Sequence, residues 1–88
     1  MIEREITILN KLGLHARPAA QLVQKASSFK SEIKMKRHNL EVNAKSIMGV
    51  MMLAAELGAK ITICAEGPDE EKAVEAMIKV IQSKFGEE

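Results

Sequence analysis

The sequence has no tryptophan, no tyrosine and only two phenylalanines in 88 residues. Stacking on nucleobases needs aromatic faces and is unsupported. There is one cysteine, Cys64, which excludes an internal disulfide and a cysteine-based zinc site and fits a reducing compartment. Net charge is small, with 13 Lys and Arg against 12 Asp and Glu. Residues 1–44 hold eight basic against four acidic side chains, and residues 45–88 hold five against eight. That is a mild dipole, not the basic stripe of a nucleic-acid binder. Long apolar runs are missing too: the longest uncharged stretch, Ser46 to Ala55, is far short of the ~20 residues that cross a bilayer. The opening MIEREI carries acid and base and no apolar signal core. A soluble cytoplasmic protein is expected, without nucleic acid and without membrane insertion.

What is present is a folding composition, 47% hydrophobic and 28% charged. A chain of this length buries roughly 60–65% of the surface its unfolded form exposes. One domain over residues 1–88, with one core and a shallow site, is therefore expected.

Ile2 to Leu9 alternates, with Ile2, Ile6 and Ile8 on one side and Glu3, Glu5 and Thr7 on the other, as in a strand with one wet face. Asn10-Lys11-Leu12-Gly13 reads as a turn. From Ala16 to Phe29 the stripe Ala16, Ala19, Ala20, Leu22, Val23, Ala26 and Phe29 has helical spacing, and Pro18 suits only a first turn. Glu32–Lys36 and Leu40–Ala44 alternate around the polar turn Arg37-His38-Asn39 and predict a hairpin. Ser46 begins a short helix that Gly58 is expected to end. Lys60 to Glu66 predicts a fourth strand, with Ile61, Ile63 and Ala65 opposite Thr62 and Cys64. Gly67-Pro68-Asp69 then turns into a helix with Asp69, Glu70 and Glu71 at its positive end and an apolar stripe of Val74, Met77, Ile78, Ile81 and Phe85. The order is β-α-β-β-α-β-α, and one polar face per strand puts all helices on the other face, a two-layer α+β open-faced sandwich.

The chemistry concentrates in Gly13-Leu14-His15-Ala16-Arg17-Pro18-Ala19-Ala20. His15 stands where a turn becomes a helix, so the backbone N–H groups of Ala16 and Arg17 are free to meet an anion. A neutral imidazole there is a nucleophile. A phosphoryl group on it would meet those amides and the Arg17 guanidinium. Pro18 has no N–H to strand, and Ala16, Ala19 and Ala20 leave room for a partner. A lone histidine at a helix start is also commonly a cap or a surface residue, and the residues by themselves leave both readings open.

GLHARPAA resembles the active-site signature of the HPr family, the histidine-containing phosphocarriers of the phosphoenolpyruvate-dependent phosphotransferase system. The likeness extends over essentially the whole chain, including Lys45-Ser46-Ile47-Met48-Gly49-Val50-Met51 and Glu66-Gly67-Pro68-Asp69-Glu70-Glu71. The resemblance implies an antiparallel four-stranded sheet of strand order 1-4-2-3. It implies that His15 carries phosphate on Nδ1, taken from phosphorylated enzyme I and given to an EIIA-type domain for sugar uptake. Arg17 and the amides of Ala16 and Arg17 would hold the phosphate, with His15 and Arg17 as the catalytic residues. It implies no cofactor and no metal, and a protein substrate rather than an enzyme. Leu12 stands where many sugar-system members carry a small polar residue, and Asn10-Lys11-Leu12-Gly13 looks like the nitrogen-related paralogue. A nitrogen-related regulatory phosphorelay is the alternative.

At ~100° per residue, Val50, Leu53 and Leu57 share one arc of the second helix and Ile47, Met48, Met51 and Met52 another. The Val/Leu arc is assigned to the core and the Met-rich arc to a surface for successive partners; that the methionines fill gaps in the core stays open. By the resemblance, this helix, Leu14 and Ala20 face the partners. Ser46 reads as an N-cap worth ~0.5–2 kcal/mol over Ala. Its segment also resembles the one modified by HPr kinase/phosphorylase, and the two roles are compatible. His38 reads as an exposed turn residue, Cys64 as an unreactive thiol on the wet face, and Glu70 and Glu71 as dipole partners. Two rival functions are a regulatory module that binds through the Met-rich helix without passing phosphate on, and a metal- or RNA-binding αβ domain, which the missing cysteine pairs and aromatics make remote. A monomer is expected.

Overall fold

A computed structural model describes residues 1–87. β1 (Ile2–Thr7) leads to α1 (Ala16–Ser27), the hairpin β2 (Glu32–Arg37) and β3 (Leu40–Asn43), α2 (Ile47–Met52), β4 (Lys60–Glu66) and α3 (Glu70–Gln82), with a single 3-10 turn at Lys84–Gly86. The strands form one antiparallel sheet in the order β1-β4-β2-β3, as the resemblance implies. The register sets Ile6 across from Ile61 and Met35 across from Ile63, so alternation brings the apolar residues of three strands onto one face. α1 packs against α2 and α3, and α3 lies over β4 and β1. Leu22 and Ala26 of α1, Val50 of α2, and Val74, Met77 and Ile81 of α3 close the core with Ile33, Met35, Ile61 and Ile63.

The other sheet face carries charge. Lys34 reaches Glu41 at 3.9 Å and Lys36 reaches Glu3 at 3.9 Å. Cys64 is on this face, as alternation predicts, yet it is buried, with its Sγ 3.5 Å from a Glu3 carboxylate oxygen. Desolvation first, then the Glu3 carboxylate, push its thiol above the ordinary value, so it is held as a thiol.

Three expectations need correction. α2 ends at Met52, not at Gly58. Ala54 turns left-handed at φ 49°, and the Arg37 guanidinium donates to the carbonyls of Leu53 and Ala54 at 3.1 and 2.8 Å while pairing with Glu56 at 2.7 Å. Those carbonyls, orphaned by the helix end, are satisfied from β2. Leu57 consequently lies beyond the helix and is exposed, whereas Val50 and Leu53 are buried as expected.

Phe85 is buried, but not on the α3 stripe. Lys84, Phe85 and Gly86 all have positive φ (57°, 58° and 74°), which turns the chain back across the end of α3. The Phe85 carbonyl then accepts from Gln21 Nε2 at 3.0 Å. Asp69 occupies the N-cap position of α3 without capping it. Its carboxylate instead accepts from the amides of Lys30 and Ser31 at 3.0 and 2.9 Å and from the Ser31 hydroxyl. The Ser31 hydroxyl, with the Lys30 amide next, lowers its pKa to about 2. Glu70 remains in the first turn and accepts from the Gly67 amide.

Candidate functional site

His15 is the N-cap of α1, with extended backbone (φ −78°, ψ −172°) and no side-chain capping bond. Two anchors bring it there. Gly13 has φ 69° and passes so close to the Ala55 carbonyl that any Cβ would overlap it, which requires glycine. The Leu14 amide donates to that same carbonyl at 2.9 Å. Leu14 itself is 4% exposed and belongs to the core, so its side chain offers no docking contact; it is the inward anchor of the loop whose next residue faces out. The His15 side chain is 37% exposed.

The first internal bond of α1 runs from the Ala19 amide to the His15 carbonyl at 3.0 Å. The amides of Ala16 and Arg17 thus have no helical acceptor, and Pro18 has no N–H. No acid sits in the first turn, and Arg17 is exposed. These features suit an anion. Ala16, placed on the apolar stripe by its spacing, is exposed, and Ala20 is half-buried. Both stand on the accessible side of the helix start.

Sequence reasoning missed the partner of the ring. His15 Nε2 lies 2.8 Å from Glu87 Oε2, and Glu87 Oε1 accepts from Asn10 Nδ2 at 3.0 Å. The Asn10 hydrogen bond first, opposed by some desolvation and aided by His15, holds the Glu87 carboxyl below its ordinary value; the charge of Arg17 adds to this. An ionised carboxylate only accepts, so Nε2 must carry the hydrogen. In the neutral ring the lone pair is then on Nδ1, which makes no hydrogen bond among the described residues. Glu87 leaves no mark in hydrophobic periodicity; the one sequence hint was Gly86, a residue suited to reversing the chain. Leu12, the departure from the sugar-system pattern, points into solvent, and it is Glu87 that accepts the hydrogen bond of the imidazole.

The Met-rich arc lies outside. Ile47, Met48, Met51 and Met52 are all exposed, with Val50 beneath them in the core. Ser46 caps α2, its Oγ accepting from the Gly49 amide at 3.1 Å. His38 is exposed in the hairpin turn. A hollow of about 250 Å³ lies over the charged sheet face and is lined by Glu3, Lys34, Lys36, Glu41 and Cys64; His15 is not part of its lining. Among the described residues no helix is long and apolar enough to cross a membrane.

The family described as PTS HPr component phosphorylation site matches residues 2–83. The phosphocarrier protein HPr of Cupriavidus necator is 53% identical over 87 residues, which is 99% of this chain and 98% of that protein. The crystal structure of HPr-C-His from Thermoanaerobacter tengcongensis superposes with a TM-score of 0.96 at 55% identity, covering 100% of this chain and 99% of that one. An HPr dimer from the same organism gives 0.80 at 54% identity, covering 99% and 100%. With a match running from the first strand through the last helix, the chain belongs to the HPr family of the phosphotransferase system.

Proposed function

We propose that this chain is a phosphoryl carrier that uses Nδ1 of His15, accepting from phosphorylated enzyme I and delivering to an EIIA-type domain for sugar uptake. The observation that supports this most directly is the ring itself: Nε2 is committed to Glu87, and Nδ1 is left as the nucleophile at an uncapped helix start. In the first transfer the Nδ1 lone pair attacks phosphorus in line, and the P–N bond to the donor imidazole breaks with its electron pair returning to the donor. The phosphoryl group on His15 then meets the amides of Ala16 and Arg17 and the Arg17 guanidinium. In the second transfer His15 is the leaving group and recovers its lone pair. The protein ends as it began, a substrate of enzyme I and not an enzyme in its own right. An exposed Arg and two amides steady the anion without trapping it.

Docking falls to Ile47, Met48, Met51 and Met52 beside Ala20, an adaptable apolar surface for partners met in turn. The transferring unit is one chain, because His15, Arg17, Asn10 and Glu87 all come from it. The cytoplasm, where phosphoenolpyruvate is made, is the compartment. The test is phosphorylation by enzyme I and labelled phosphoenolpyruvate. Wild type takes up an acid-labile label and His15→Ala takes up none; an acid-stable label, or one that survives His15→Ala, overturns the reading. Transfer onward to an EIIA domain of a sugar transporter, against one of nitrogen regulation, decides the branch.

A second reading concerns Ser46. Its hydroxyl caps α2, whose first turn has no acid and whose next two residues are exposed. A phosphate there is compatible with the helix start and puts a dianion on the rim of the docking surface. HPr kinase/phosphorylase should add one phosphate to wild type and none to Ser46→Ala by mass spectrometry; an unmodified wild type overturns this reading.

A further inference from the structure

Asn10 is 1% exposed in the turn between β1 and α1. Its carboxamide nitrogen donates to the Gly13 carbonyl at 2.9 Å and to Glu87 Oε1 at 3.0 Å, using both hydrogens. Its own Oδ1 has no partner among the described residues. The orientation is dictated by chemistry: both neighbours are acceptors, so the NH₂ must face them, and a flipped amide would set oxygen against oxygen. A buried acceptor left unpaired is destabilising. An apolar side chain would avoid that cost, so it is the amide's donors that this position requires.

One donor holds the loop that carries His15, and the other holds the acid that touches the imidazole. We propose that Asn10 is a positioning residue of the phosphoryl-accepting site, clamping Glu87 on Nε2 of His15 so that Nδ1 stays the nucleophilic nitrogen. The inference rests on the carrier reading and adds a member to its site. Asn10 contacts neither phosphate nor the ring. It acts through Glu87, and it does so from the strand end that enters the His15 loop, so the ring is tied to the same turn from both sides.

The readout that separates this role from plain structural support is the His15 ring. In ¹⁵N spectra of neutral wild-type ring, Nε2 gives a protonated signal and Nδ1 an unprotonated one. In Asn10→Ala the two signals should move toward each other as the tautomers mix, and kcat for acceptance from phosphorylated enzyme I should fall roughly 3- to 10-fold with KM unchanged. In a Glu87→Ala background the same Asn10→Ala change should produce no further shift of the ring. Ring signals and kcat equal to wild type in a folded Asn10→Ala protein overturn the proposal, as does an undiminished shift when Glu87 is already gone. If Asn10→Ala does not fold, Asn10→Ser is read in its place, and Glu87→Ala releases the clamp from its other end. The Asn10 carboxamide signals and the His15 ring signals must move together, and movement of one without the other refutes the clamp. None of these spectra needs phosphate. Failure of wild type to accept a phosphoryl group would overturn the carrier reading while leaving the clamp measurable.

Discussion

α1 and α2 begin in the same way, on a residue in extended conformation followed directly by helix, yet the two starts are finished differently. At α2, Ser46 turns its hydroxyl onto the Gly49 amide and closes the end. At α1, His15 turns its ring away to Glu87, and the amides of Ala16 and Arg17 are left open. A helix end left uncapped forgoes about 1 kcal/mol. Leaving it so at His15, and capping the start of the next helix, distinguishes an end whose amides stay open to an anion from one closed on itself. The third start differs again: Asp69 sits at the cap position of α3 and spends its carboxylate on Lys30 and Ser31.

The comparison can be broken most severely at Arg17. If the open start holds phosphate, Arg17→Gln should lower kcat/KM for acceptance by roughly 10- to 100-fold, measured with enzyme I and phosphoenolpyruvate, while the thermal midpoint stays put because the side chain is exposed. A change below twofold would mean that the amides alone bind the anion. Gly13→Ala attacks the geometry instead. With φ at 69° and the Ala55 carbonyl where a Cβ would go, the variant should lose about 2–4 kcal/mol in urea unfolding. It should also accept phosphate more slowly, since the Leu14 bond to Ala55 is strained with it. At the closed start, Ser46→Ala should cost about 1 kcal/mol of stability and leave acceptance at His15 within twofold. Should Ser46→Ala impair acceptance as much as Arg17→Gln, the distinction between the two starts would be lost.

The elements themselves were legible because each strand alternates and each helix has an apolar stripe, and residue types singled out His15 and Arg17, which lie at the uncapped start of α1. The exposure of Ile47, Met48, Met51 and Met52 was also readable, since a helix on a two-layer fold can bury only one arc. What escaped was whatever one segment does to another far along the chain. Arg37 from β2 stops α2 at Met52 and so puts Leu57 outside. The carbonyl of Ala55 draws in Leu14, which the family resemblance puts among the docking residues. Cys64 is buried between Glu3 and Lys34, its neighbours across the sheet, where alternation alone would leave it wet. Asn10 and Glu87 are 77 residues apart and meet only because three residues of left-handed backbone turn the tail around. Periodicity reports which side of an element is buried; it carries no record of which distant side chain ends the element.

The smallest effect is expected at the third start, and it is a dependence on pH. The folded Asp69 carboxyl sits at about 2, against an ordinary 3.8, because the Ser31 hydroxyl and the amides of Lys30 and Ser31 bond its ionised form. A depressed carboxylate contributes stability that is complete above the unfolded value and is lost as pH falls through the folded one. The urea midpoint of wild type should therefore be level near neutrality and decline on acidification from about pH 4 toward pH 2. Asp69→Asn keeps an acceptor but not the charge, so it should begin with a lower midpoint at pH 7 and fall less steeply over that interval, the two curves converging at the acid end. Parallel curves would show that other carboxyls, Glu87 and Glu70 among them, carry the acid sensitivity. Because Asp69 pins α3 to the turn before β2 and touches nothing at His15, phosphoryl acceptance at pH 7 should be the same in both proteins, which is what distinguishes a carboxylate that fastens the fold from the one that holds the ring.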